Sequence, residues 1–148
     1  MDIIDEKEGM TVSRSKLHEL IMICIYQYLF YLRIEDKPEI DSIIKSVFNS
    51  SPKDIDPFAK KAILETIRNM QKAVDDISLY LVKFKFERLG LIEQAILVLA
   101  YVEMKFLDIP PQIAINIAVK LTQKYSDDES YKYVNAVLQK VADHEQSN

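Results

Sequence analysis

With 148 residues, a formal net charge of −4, two glycines and one cysteine, the chain excludes several kinds of chemistry at once. Gly9 and Gly90 cannot build a dinucleotide fingerprint or a P-loop, and Cys24 alone permits no intrachain disulfide. His18, His144 and Cys24 fall short of the roughly four N or S ligands of a structural zinc site, so neither metal nor cofactor is expected.

Residues 1–12, MDIIDEKEGMTV, read as a disordered acidic leader without the basic-then-apolar order of a signal peptide. Residues 13–148 read as one all-helical domain. Ser13 is a good N-cap for a first helix reaching about Arg33. Its apolar run, Leu20 to Leu32, contains Gln27 and is shorter than the roughly 18 residues of a membrane span, so a soluble cytoplasmic protein is expected. Cys24 lies inside that run and reads as a buried, inert thiol.

Ile40, Ile43, Ile44, Val47 and Phe48 give a second helix its apolar stripe, and Asn49 to Pro52 ends it. Asp56-Pro57 is an N-cap followed by proline at the first helical position. The stripe from Ala59 to Leu81 is long, and Asp75-Asp76 is the predicted joint within it, since Asp starts helices better than it continues them. After Gly90 comes a helix over Leu91 to Leu107 that has no charge between Ala95 and Val102, which predicts a central position. A helix from Pro111 to Tyr125 follows, then one from about Glu129 with Ser126 to Asp128 as its cap. No segment alternates with period two, so the class is all-α with about seven helices.

On the last helix, Val134, Val137, Leu138 and Val141 share one face at 100° per residue. Asn135 falls at one edge, predicted to bond a backbone group of another helix. Tyr131 and Tyr133 flank the face, and Lys132 points away. Read plainly, these are packing residues, with rings covering core and hydroxyls in water.

Four stretches together resemble the NusB family of bacterial transcription antitermination factors: RSKLHELIMICIY (14–26), ERLGLIEQAILVLAYVEM (87–104), IPPQIAINIAVKLTQKY (109–125) and DESYKYVNAVLQKVA (128–142). The resemblance implies two packed helical sub-bundles and an adaptor without catalytic activity. It implies binding of the single-stranded boxA element of ribosomal RNA leaders, together with NusE, a small-subunit ribosomal protein. Through that pair it implies an indirect link to the RNA polymerase elongation complex.

The family's first helix opens with an arginine-rich run; here the window is Arg14-Ser15-Lys16-Leu17-His18, with two full charges and a histidine expected to be largely neutral. By resemblance, Arg14, Lys16, His18, Lys132 and Tyr133 are the RNA-binding residues, with Lys132 and Tyr133 expected beside the first helix. Tyr26, Glu87 and Glu93 are the NusE-binding residues. Usual charged positions of the family are Val98 and Ile117 here, and its usual glycine after Val-Asn is Ala136. The alternative is a helical protein-binding module that keeps the NusE surface and has little RNA binding of its own. The apolar first helix also permits a homodimer.

Overall fold

The computed structural model describes residues 13–127 and 129–147, without the side chains of 145–147. The acidic leader lies outside the described residues. Seven helices are present among them: α1 (Arg14–Arg33), α2 (Ile40–Phe48), α3 (Pro57–Arg68), α4 (Met70–Ser78), α5 (Leu91–Phe106), α6 (Pro111–Tyr125) and α7 (Ser130–Ser147). Short 3₁₀ turns at Pro52–Asp54 and Phe86–Arg88 precede α3 and α5.

The predicted central helix is central. All ten residues from Gln94 to Glu103 in α5 are buried, and α1, α3, α4, α6 and α7 all pack against it. A helix buried on every side must be apolar all round, and the charge-free stretch of α5 meets that demand. Around it α1, α2 and α3 form one group, α4, α6 and α7 the other. No helix among the described residues is long and apolar enough to cross a membrane.

The joint in the long stripe lies at Asn69, not at Asp75-Asp76. Asn69 closes α3 with its backbone N–H on the Glu65 carbonyl, and its side-chain amide donates to that same carbonyl at 2.8 Å. The two aspartates stay helical because each is satisfied within or across the helix. Gln71 donates to Asp75 at 2.9 Å and Lys72 to Asp76 at 3.1 Å, while the buried Tyr101 hydroxyl of α5 also donates to Asp76. These bonds remove the competition with the backbone that makes Asp a poor helix residue.

Glycine scarcity leaves its mark at the helix ends. Glu35 follows α1 at φ 58°, in the left-handed region usually filled by glycine. Its N–H donates to the Leu32 carbonyl and that of Asp36 to the Tyr31 carbonyl, the crossed pair of a Schellman cap. A side chain with a Cβ is strained there. Glu35→Gly is therefore expected to raise the free energy of unfolding in urea by about 0.5–1 kcal/mol; a loss of stability would show that the Glu35 side chain contributes more than its backbone costs.

Candidate functional site

The first turn of α1 is fixed from inside. Ser13 Oγ accepts from the Lys16 amide at 3.1 Å. One turn on, His18 shares the inner face with Ile21, Met22 and Ile25, all buried. It is 4% exposed, its Nε2 lies 2.7 Å from Glu103 Oε2 of α5, and its Nδ1 donates to the Arg14 carbonyl at 3.0 Å. Glu103 is 1% exposed. The expectation of His18 on the basic arm is thus corrected: the i, i+3, i+4, i+7 spacing with apolar residues turns it inward, and the carboxylate holds it there.

Nor is His18 an ordinary neutral histidine. Burial alone would push its pKa down, but the hydrogen bond and charge of Glu103, with the Arg14 carbonyl, outweigh it and raise the pKa above 6.5. An acceptor at each ring nitrogen favours the doubly protonated ring. The raised pKa favours the protonated ring, and the buried His18–Glu103 pair ties α1 to α5.

The outer side of the same turn is cationic. Arg14 is exposed and its guanidinium lies 5.1 Å from the Phe58 ring centre, while that ring is 5.7 Å from His18. Lys16 approaches Glu19 at 3.8 Å. Glu19, largely buried, accepts from Lys124 Nζ and from the Tyr125 hydroxyl, both at 2.8 Å. Burial would raise the Glu19 pKa, but the bonds from Lys124 and Tyr125 and the lysine charges lower it overall. Burial and the same carboxylate push Tyr125 up to about 12.

A groove of about 320 Å³ runs between α1 and α6. Ile113, Ile117 and Leu121 supply its apolar lining, with Arg14, Lys120 and Lys124 among its cations. The α6 lysines were not among the candidates drawn from the sequence. Ile113, Asn116, Ile117, Lys120 and Lys124 follow i, i+3, i+4, i+7, i+11, a one-face pattern that marks them in the sequence itself.

The residues of α7 fall elsewhere. The helix packs chiefly on α6 and α5, with a smaller contact to α4; α1 is not among its principal neighbours. Between them lies α6, which touches both α1 and α7. Lys132 is exposed and pairs with Glu129 at 3.2 Å. Tyr133 is half-buried, and its hydroxyl is enclosed without a well-formed hydrogen bond, rather than wet. Burial raises its pKa, against a downward pull from the Val82 backbone N–H nearby. Asn135 is exposed. It lies outside the buried stripe of Val134, Val137, Leu138, Val141 and Ala142, so the expected bond into another helix is replaced by a solvated amide.

Of the three residues assigned to a protein partner, Tyr26 is half-buried and packs on the core. Glu87 is exposed in the turn before α5. Glu93 is half-buried, folds back toward Gly90 and accepts from the Ser126 hydroxyl at the end of α6. Cys24 is fully buried, which pushes its thiol up to about 12, far from a reactive thiolate. Val98 is fully buried and Ile117 half-buried.

Residues 48–143, more than half of the chain, match the NusB family, and a relative from Methylacidiphilum infernorum is 32% identical over 133 residues, covering 88% of this chain and 90% of its own. The chain belongs to the NusB family. A NusB protein of Crocosphaera subtropica is 39% identical over 87 residues, 58% of this chain and 42% of that relative, so the chain spans less than half of it. Both relatives are transcription antitermination proteins by name. In three dimensions, T. maritima NusB superposes with a TM-score of 0.77 at 24% identity, over 90% of this chain and 93% of its own. NusB in a crystal structure of antitermination factors NusB and NusE with double-stranded RNA gives 0.73 at 24% identity, over 86% and 94%. These likenesses establish the NusB fold.

Two outcomes follow from the geometry. Because the folded pKa of His18 is raised, the stabilisation from its pair with Glu103 is fully present below pH 6.5 and is lost as pH rises through the folded pKa. Glu103→Gln is expected to cost about 3–5 kcal/mol in urea unfolding at pH 5.5 and clearly less at pH 9; a cost independent of pH would mean the ring is neutral throughout. Tyr133→Phe should be neutral or slightly stabilising in thermal melts, since it removes an unpaired buried hydroxyl; a loss above about 1 kcal/mol would reveal a strong hydrogen bond to that oxygen.

Proposed function

We propose that this NusB-family chain is a non-enzymatic RNA-binding adaptor of transcription antitermination. It takes a single-stranded boxA-type element of a ribosomal RNA leader together with NusE, and through that assembly it acts on the elongating RNA polymerase, in the cytoplasm. The observation that supports this best is the first turn of α1. The buried His18–Glu103 pair anchors it, with Arg14 exposed and Lys16 half-exposed on its outer side. A charged arm held rigidly loses less entropy on meeting a phosphate backbone than a floppy one. His18 then acts as a positioning residue for Arg14 and not as a contact. Lys132 and the open edge of Tyr133 add a second patch on α7. On the protein side, the exposed carboxylate of Glu87, with Glu93 and Tyr26, suits a basic partner such as NusE.

One observation favours the alternative, a NusE-binding module with weak RNA affinity. Lys16 and Lys124 already share Glu19, and the whole chain is at −4, so few cations are left to neutralise phosphates.

Fluorescence anisotropy with labelled boxA-type RNA and a scrambled control, single- and double-stranded, with and without NusE over a salt series, separates the two. Preferential binding that tightens with NusE is expected. Arg14→Ala combined with Lys16→Ala should then weaken binding and reduce the salt slope by about one to two units. NusE binding with no RNA preference, and no change in slope, would favour the alternative.

A further inference from the structure

We propose that the groove between α1 and α6 is a nucleotide subsite: one base of a single-stranded RNA rests on Ile113 and Ile117, and its adjoining phosphates meet Lys120 and Arg14. This rests on the RNA-binding reading and extends it to α6, none of whose side chains is among the RNA-binding residues that the resemblance implies. The groove, at about 320 Å³, lies at the lower end of the range of small-ligand sites. Its two kinds of surface match the two parts of a nucleotide.

The charge comes first. In a chain with a net charge of −4, Arg14, Lys120 and Lys124 line the groove together with a single carboxylate, Glu19, which Lys16 also approaches. That carboxylate is already bonded to Lys124 and Tyr125. Lys120 is exposed and has no carboxylate partner among the described residues. It is one turn of α6 from Lys124 and faces Arg14 across the groove. Unbalanced cations in one cleft attract a polyanion locally even when the whole protein is acidic.

The apolar part separates RNA from a simple acidic peptide. Ile113 is 52% exposed at the mouth of this cationic groove. A splayed base covers that apolar surface by van der Waals contact with its flat face and leaves its edge to polar groups, whereas an acidic peptide has to bring a separate apolar side chain beside its carboxylates. Asn116, exposed on the same face, offers both a donor and an acceptor to such an edge. Arg14 belongs both to the arm and to the groove, so a strand held by the arm meets α6 next.

The test compares three variants on the full chain, with folding checked by thermal melts. Lys120→Gln is exposed and should leave the melt unchanged while lowering the salt slope by about 0.7, the value for one phosphate of a single strand. Ile113→Ala should weaken binding severalfold without changing the slope. RNA with 4-thiouridine, irradiated on the wild type, should crosslink to the peptide 112–124. If Arg14→Ala with Lys16→Ala lowers the slope while Lys120→Gln does not, and crosslinks avoid α6, the subsite is wrong and the adaptor reading stands. If none of the variants changes binding, the adaptor reading itself falls. If an acidic peptide displaces RNA from the wild type but not from the Lys120→Gln protein, and Ile113→Ala has no effect on RNA, the groove is a peptide site and the proposal is overturned.

Discussion

Glu103 lies in the middle of the protein, 1% exposed, on the one helix that contacts nearly all the others. A carboxylate in that place is costly unless a cation reaches it. His18 reaches it, from a helix 85 residues away in sequence. The bond dictates more than local charge balance. It sets the rotation of α1 about its own axis, since His18 must face α5. With that rotation fixed, Leu17, Ile21 and Ile25 enter the core, Arg14 goes to solvent and Lys16 to the half-exposed edge beside Glu19. It also links the two helical groups, because α5 serves both. A hydrophobic pair could fill the same volume, but it would not discriminate one rotation of α1 from the next as sharply as an ion pair that has a single partner.

Much of this was legible in the sequence. Helix positions followed from proline placement, caps and apolar period, and α1, α2, α5 and α6 lie where those signals put them. The centrality of α5 could be read from its charge-free run. The misplaced joint shows the limit. Asp75 and Asp76 are poor helix residues on propensity, yet their side chains find Gln71, Lys72 and Tyr101. One of those partners comes from another helix, and no local rule anticipates it. Asn69, which ends α3, does so with a bond to its own preceding turn. That signal was local and was outweighed by the more conspicuous pair of acids.

The candidate site was legible only in part, for a similar reason. Charge can be counted along a chain, but its direction depends on what lies opposite. His18 looked like the third member of a basic arm because its neighbours are basic; its spacing to Ile21, Met22 and Ile25 already placed it inside. Tyr133 and Lys132 were seen as a pair, though adjacent helical residues diverge by 100°, and one went to a protein-lined edge while the other went to solvent. The α6 lysines are hard to single out in the sequence because they stand singly, one turn apart, with no run of basic residues around them. Their companion, Arg14, comes from the first helix, far earlier in the chain.

The connection between α4 and the turn before α5 has a different significance. Residues 79–85 join α4 to the turn before α5, and Leu79, Val82 and Phe84 are each more than half exposed there. The segment's Val82 backbone N–H lies near the Tyr133 hydroxyl, which makes no well-formed hydrogen bond. A connection that buries little and bonds weakly has a low free energy of local opening, far below that of the α5 core. Amide hydrogen exchange would register this as a stretch that loses protection through sub-global fluctuations while its neighbours exchange only on full unfolding. The protein thus combines a rigid axis at α5 with one loosely fastened connection, and the two belong to different cooperative units of the same fold.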